Sequence, residues 1–242
     1  MPKITLIIPM YNEIGIINDT ANTLNGYMSS NFDDYEIIFS DDGSLDGSGE
    51  AVESMHLPSV RVISYGENKG KGAAIRHGVL EASGDIIMFT DADLAYGTDV
   101  VKKAFDLFAA SPDTDVFIGS RNLSKDGYEG YTFIRKLMSR VYIKLLGVIG
   151  GFSFSDSQCG CKAFRATAAK EIFKRCKVNG FAFDLEAILW AQQLNFKVEE
   201  MPVKIINHRD SKIHIVRDTL RMIRDAYDIR RRVKKQSKSE KA

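Results

Sequence analysis

Four times in the first 120 residues, a short β-branched or apolar run is followed by a segment whose apolar positions recur at helical spacing. The runs cover residues 3–8, 35–39, 60–64 and 86–89, and a fifth follows at 116–119. Such alternation predicts an α/β fold, a doubly wound and mostly parallel sheet with helices on both faces. The fourth run constrains the chain most. Residues 84–93 read Gly-Asp-Ile-Ile-Met-Phe-Thr-Asp-Ala-Asp, and a run with no polar alternation suits a strand covered on both faces. It ends in Asp91 and Asp93 as the chain leaves the sheet, and open α/β sheets bind ligands outside the carboxyl ends of their strands. Two hard oxygen ligands suit Mg²⁺ or Mn²⁺, which complete their shells with water and substrate phosphate. A nucleoside diphosphate is the substrate that such a site implies. Alone, Asp-x-Asp is a weak signal, because aspartates are common in turns.

The flanking segments repeat the pattern. Pro9 is expected to stop the first strand, and Tyr11-Asn12-Glu13 turns the chain into a helix over about 14–28. The second strand also closes in acids, Asp41-Asp42-Gly43-Ser44. Ser44 or Asp46 is alternatively the N-cap of the helix through Met55. Residues 68–72, Asn-Lys-Gly-Lys-Gly, open a third helix like a phosphate loop but lack the Gly-Lys-Ser/Thr of a Walker site. The fifth strand ends in Ser120-Arg121.

Beyond residue 130 the pattern changes. Arg135, Ser139 and Arg140 lie on an expected helix that grades into an apolar stretch, 141–154, broken by Lys144 and three glycines. That stretch is either core or a membrane contact, since a large apolar patch beside basic residues marks the latter. It is too interrupted to span a bilayer. Asp184 is expected either to cap the helix that follows or to serve a site. A last helix, about 214–234, carries Val216, Leu220, Ile223 and Tyr227 on one stripe and Arg217, Arg221 and Arg224 beside it. Residues 212–242 hold 11 Lys/Arg against 4 Asp/Glu, so they carry net +7 and residues 1–211 carry −6. Such a tail suits anionic lipid or nucleic acid, or is simply solvated. Residues 236–242 are expected to be disordered. Cys159, Cys161 and Cys176 form no disulfide framework and have no zinc spacing, and the N-terminus shows no leader, which fits a reducing cytosol.

Ile-Pro-Met-Tyr-Asn-Glu after the first strand, Asp-Asp-Gly-Ser after the second, Asn-Lys-Gly-Lys-Gly before the third helix and Asp-Ala-Asp after the fourth strand resemble the inverting glycosyltransferases of family 2, with their GT-A fold. Gly-Ser-Arg at 119–121, Arg135 with Ser139, Asp-Ser-Gln-Cys-Gly-Cys-Lys at 156–162 and Phe-Asp-Leu-Glu at 183–186 are similar to the polyprenyl-phosphate branch, above all the dolichyl-phosphate β-glucosyltransferases. The resemblance covers about residues 3–225. It implies a donor half over about 1–120, an acceptor half over about 121–211, and the basic helix at 212–235. It further implies that Pro9, Tyr11, Glu13, Asp41 and Asp42 cradle the base and ribose. Asp91, Ala92 and Asp93 would meet the metal and diphosphate, with Lys71 beside them. Arg209 and Lys212 would close over the donor. Arg121, Arg135, Ser139 and Gln158 would hold the acceptor phosphate, Arg121 as part of the catalytic set. Ala95 stands where mannosyl relatives carry a polar residue, which favours glucose.

The reaction so implied moves a sugar from a UDP-sugar to a polyprenyl phosphate, with Mg²⁺ or Mn²⁺ as cofactor. The setting is peripheral, on the cytoplasmic face of a membrane, with no nucleic acid partner. A sugar-hydroxyl acceptor is the first alternative and would need a base, for which Asp156 and Asp184 are the candidates. A non-catalytic nucleotide-sugar-binding module is the second.

Overall fold

The computed structural model describes residues 2–128, 133–207 and 215–240. The elements run β1 (Ile4–Met10), α1 (Ile17–Asn31), β2 (Tyr35–Asp41), α2 (Ser48–Ser54), β3 (Val60–Ser64), α3 (Lys71–Glu81), β4 (Ile86–Phe89), α4 (Asp99–Ala110) and β5 (Val116–Ser120). A short 3-10 turn, Arg121–Leu123, then precedes α5 (Phe133–Gly150), β6 (Lys162–Arg165), α6 (Ala166–Arg175), α7 (Phe183–Gln193), β7 (Val198–Pro202) and α8 (Ile215–Glu240). Seven strands form one sheet in the order β3-β2-β1-β4-β6-β5-β7. All pairs are parallel except those of β6, which inserts antiparallel between β4 and β5.

Period-two alternation builds a core on each face of the sheet. Ile4, Leu6 and Ile8 of β1 with Ile86 and Met88 of β4 face one side, against α1 and α4. Ile7, Ile87 and Phe89 face the other, against α3, α6 and α7. There Phe89, Phe164, Phe173 and Phe183 gather, with ring centroids 5.6–6.4 Å apart. Both faces of β1 and β4 are covered, which explains their lack of polar alternation.

Pro9 does not end the first strand. β1 continues through Pro9 to Met10, paired with Ser40 and Asp41 of β2. On its other side β4 pairs only as far as Ile7, so Pro9 has no ladder partner there that requires its missing N–H. At the C-terminus α8 reaches Glu240, so helix replaces the disorder expected from residue 236 through that point. Among its described side chains Ala226, Ile229, Val233 and Ser237 are buried where α8 packs on α5 and α7, while Tyr227 is exposed. Arg232 Nη2 donates to the buried carboxylate of Glu186, which also accepts from the amides of Lys177 and Val178. The basic helix is thereby fastened to the start of α7.

Glu36 of β2 is buried and accepts from Thr5 Oγ1 at 2.6 Å, Ser83 N at 2.6 Å and Ser83 Oγ at 2.7 Å. Burial alone raises its pKa, but the hydrogen bonds from Ser83 and Thr5 outweigh it and the net shift is downward. A depressed carboxylate contributes stability that is complete above its unfolded pKa and is lost as pH falls through its folded pKa. Glu36→Gln is therefore expected to cost about 1–2 kcal/mol at pH 7 and progressively less under acid conditions. Urea midpoints at pH 7 and pH 3 check this; an equal loss at both would contradict it.

Candidate active site

The strand order reverses between β1 and β4, and their carboxyl ends open the crevice where such sheets bind ligands. Every motif singled out in the first 93 residues lies on this rim.

The first two motifs are bonded to one another. Asn12 N donates to Ser44 Oγ, Glu13 N to Ser48 Oγ, and Leu45 N to Asn12 Oδ1, each at 2.9 Å. Asp41 accepts from Ser44 N at 3.0 Å and from the Ser44 hydroxyl. Asp46 accepts from Ser48 N, but α2 has Gly47 at its N-cap, so neither Ser44 nor Asp46 holds that position. Tyr11 stands exposed above this knot. Asp42 is buried and both its oxygens are engaged. They accept from Tyr65 Oη, from Asn68 Nδ2 at 3.0 Å, and from the amides of Lys69 and Gly70 at 2.8 Å each. Burial and the Asp42 charge push the Tyr65 phenol far above its ordinary pKa, so it stays a donor. Asp42 thus organises the Asn-Lys-Gly turn and sets where α3 begins.

Lys71, the first residue of α3, reaches across the crevice to pair with Asp91 Oδ1. Burial alone would lower its pKa; the charge and hydrogen bond of Asp91 outweigh it, and the ammonium is held. Ala92 is buried, its carbonyl accepting from Thr20 Oγ1 at 2.7 Å. Asp93 Oδ1 accepts from Ala95 N at 3.1 Å, and its carbonyl from Asn207 Nδ2 at 3.1 Å.

The opposite wall is the segment 155–162, tied to Asp91 through Gly160. A Cβ on Gly160 would collide with the Asp91 carboxylate, so only glycine permits that approach. Tyr96 Oη accepts from Gly160 N at 3.1 Å and fixes it. Farther along, Asp156 takes Arg121 Nε at 2.6 Å, Arg121 Nη2 at 2.9 Å and the Arg121 amide at 3.1 Å. The Tyr128 ring lies 5.2 Å from the same guanidinium. Burial works against this charge, but the Asp156 pair outweighs it and raises the Arg121 pKa well above normal. None of these hydrogen bonds uses Arg121 Nη1. Glu200 supports the segment by accepting from Ser155 N at 2.8 Å and Asp156 N at 3.2 Å. Gln158 is half-buried, its backbone N–H donating to Asp156 Oδ1 at 3.3 Å.

Two expectations about acids are corrected. Asp184 is not the cap of its helix: α7 starts at Phe183, and the Asp184 carboxylate is paired with the buried ammonium of Lys162. Nor is Asp156 disposed as a base, since it is wholly buried and accepts three bonds from Arg121. Arg209 and Lys212 lie outside the described residues, as do the side chains of Arg135 and Ser139, whose backbone belongs to α5. Residues that the sequence did not single out for the site include Tyr65, Tyr96, Tyr128 and Glu200. The three cysteines are free and buried, and burial pushes the Cys159 thiol up to about 11, which leaves it inert.

Among the described residues no group of three or more His, Cys, Asp or Glu side chains could hold a metal alone. Asp91 and Asp93 nonetheless fit a hard divalent cation of the kind that takes its remaining ligands from water and phosphate.

Residues 5–173 match the family model described as Glycosyl transferase family 2. The dolichyl-phosphate beta-glucosyltransferase of Saccharomyces cerevisiae is 28% identical over 249 residues, covering 94% of this chain and 74% of that protein. Its counterpart in Drosophila melanogaster is 30% identical over 242 residues, with the same coverage of 94% and 74%. Among solved structures, glucosyl-3-phosphoglycerate synthase from Mycobacterium tuberculosis in complex with Mn²⁺, UDP and glucosyl-3-phosphoglycerate superposes with a TM-score of 0.70. At 17% identity, over 94% of this chain and 78% of that one, that likeness shows the shared GT-A fold.

Proposed function

Because the chain belongs to glycosyltransferase family 2, we propose that it moves glucose from UDP-glucose to a polyprenyl phosphate of the dolichyl type, with inversion at the anomeric carbon. The observation that carries the acceptor assignment is a groove of about 730 Å³ beside the Arg121–Asp156 pair. Phe152, Phe154, Ile143 and Val148 give it apolar walls, Arg140 and Lys144 stand at it, and among the described residues no carboxylate lines it. An anionic head on an apolar chain fits that lining. The names of the two relatives above support the same acceptor class.

Residues 1–120 then form the donor half, in which Pro9, Tyr11, Glu13, Asp41 and Asp42 meet base and ribose, Asp42 also shaping the turn that delivers Lys71. Arg209 and Lys212 are assigned to closing over the donor, and Arg135, Ser139 and Gln158 to the acceptor phosphate. Asp91 and Asp93 would hold Mg²⁺ or Mn²⁺, which neutralises charge on the departing diphosphate. Arg121 is pre-set by Asp156 and Tyr128, and it offers its Nη1 edge to phosphate oxygens. A phosphate monoester is mostly ionised near neutral pH, so no residue need remove a proton from the nucleophile. This agrees with Asp156 and Asp184 both being bound in ion pairs.

Among the described residues no helix is long and apolar enough to cross a membrane. Contact with the bilayer is assigned to exposed Val141, Leu145 and Val148 beside Arg140 and Lys144, and to the basic face of α8 on the cytoplasmic side. The test is transfer from UDP-sugars and GDP-mannose to farnesyl phosphate or to free sugars, with the acceptor in anionic or neutral vesicles. UDP-glucose with farnesyl phosphate in anionic vesicles is expected to react fastest. Equal rates in neutral vesicles would remove the surface assignment, and transfer to sugar hydroxyls alone would remove the acceptor.

A further inference from the structure

The Asp91 carboxylate is already engaged by two neighbours. Its Oδ1 is occupied by the Lys71 ammonium, and its carboxylate lies against the backbone of Gly160 closely enough to exclude a Cβ. Neither neighbour is placed by chance. Gly70, at φ +108° just before Lys71, packs so tightly that a Cβ there would come within 2.6 Å of Asn179 O. Gly72, just after it, would bring a Cβ within 2.6 Å of Val178 O. The start of α3 is thus clamped to the 178–180 segment, and Asp42 grips the Lys69 and Gly70 amides from the other side. Gly160 is fixed in turn by Tyr96. The remaining acid nearby, Asp184, is consumed by Lys162. The side chains of Lys71 and Asp91 are 25% and 27% exposed, so the pair is reachable from the crevice.

We propose that the Lys71 ammonium is the resident counter-ion of Asp91, so that a divalent cation is taken up only together with a nucleoside diphosphate that draws Lys71 onto its own oxygens. This rests on the donor-site reading above and adds an order to it. Without nucleotide, a cation would have to displace Lys71 and find a third ligand where the described residues supply none. With a diphosphate present, both obstacles fall together: phosphate oxygens serve as ligands and also give Lys71 a new anionic partner. Lys71 would therefore neutralise Asp91 between turnovers and make metal uptake depend on the donor.

The experiment is Mn²⁺ binding to the full chain, followed by electron paramagnetic resonance with and without UDP and with no acceptor present. Wild type is expected to bind Mn²⁺ at least thirtyfold more tightly with UDP than without it. Lys71→Met is expected to bind Mn²⁺ alone at least tenfold more tightly than wild type and to lose most of the UDP coupling. Lys71→Arg should retain the coupling. Adding Asp91→Asn to Lys71→Met should abolish the gain, with circular dichroism confirming that each variant is folded. Unchanged or weaker Mn²⁺ binding by folded Lys71→Met, in the absence of UDP, would overturn the proposal. Failure of the acceptor assignment is separable, because it would appear as lost transfer to farnesyl phosphate with these binding differences intact.

Discussion

Asp93→Asn is expected to lower sugar transfer by about a thousandfold, about 4 kcal/mol of barrier, while the melting temperature stays near that of wild type. Asp93 is half-buried in the turn that follows β4 at the mouth of the crevice, beside the proposed diphosphate site. The substitution keeps an oxygen for the Ala95 amide, which Asp93 Oδ1 accepts at 3.1 Å, so the local turn is preserved. What is lost is one negative charge from the pair that would hold the cation. Steady-state kinetics with Mg²⁺ and Mn²⁺, beside a thermal melt, read both quantities. Near wild-type turnover would remove Asp93 from the metal site, and so would a wild-type enzyme indifferent to a chelator.

The second large effect is on stability. Lys162 is fully buried on β6, donates to Cys159 O at 2.7 Å and pairs with Asp184 of α7. Its ammonium lies 5.8 Å from the ring of Phe89, the last residue of β4 and two residues before Asp91. Lys162→Met strands the Asp184 charge among aromatic rings and is expected to cost about 3–5 kcal/mol. For a chain of this size each kcal/mol lowers the melting temperature by about 2–4 °C. Burial raises the Asp184 pKa even with Lys162 present, and removing the lysine raises it further. The folded state then holds a proton that the unfolded state releases, so the variant loses stability as pH rises from the unfolded carboxylate pKa toward the folded one. The deficit should therefore be larger at pH 8 than at pH 5. Adding Asp184→Leu should recover most of it, because an apolar pair leaves no charge to compensate. A single variant costing under about 1 kcal/mol, or a double variant no better than the single, would contradict this account of the pair.

How much of this could be read from the chain alone follows from the range of the interactions involved. The strand–helix alternation to residue 120 and the diacid closing β4 are local patterns, and each appears where the spacing placed it. So does the turn at residues 68–72. Pro9 misled because whether a proline ends a strand depends on the neighbouring strand's length, and β4 stops short of it. The fate of Asp156 and Asp184 was illegible for a related reason. Their partners Arg121 and Lys162 stand 35 and 22 residues away, and only the insertion of β6 between β4 and β5 brings them together. Tyr65 and Tyr96 carried no motif; each acts through one hydroxyl on a distant loop. In α8 the described side chains Ala226, Ile229 and Val233 are buried while Tyr227 is exposed, because a helix this rich in arginine offers several narrow apolar stripes; the side chains of Val216, Leu220 and Ile223 lie outside the described residues.

The central claim is inverting transfer of glucose to a lipid phosphate, and the anomeric configuration of the product tests it most directly. With α-linked UDP-glucose, farnesyl phosphate and Mg²⁺, proton NMR of the extracted lipid should show a β-linked glucosyl phosphate and one equivalent of UDP released. An α-linked product, or glucose appearing only on a sugar hydroxyl with the lipid phosphate untouched, would contradict it.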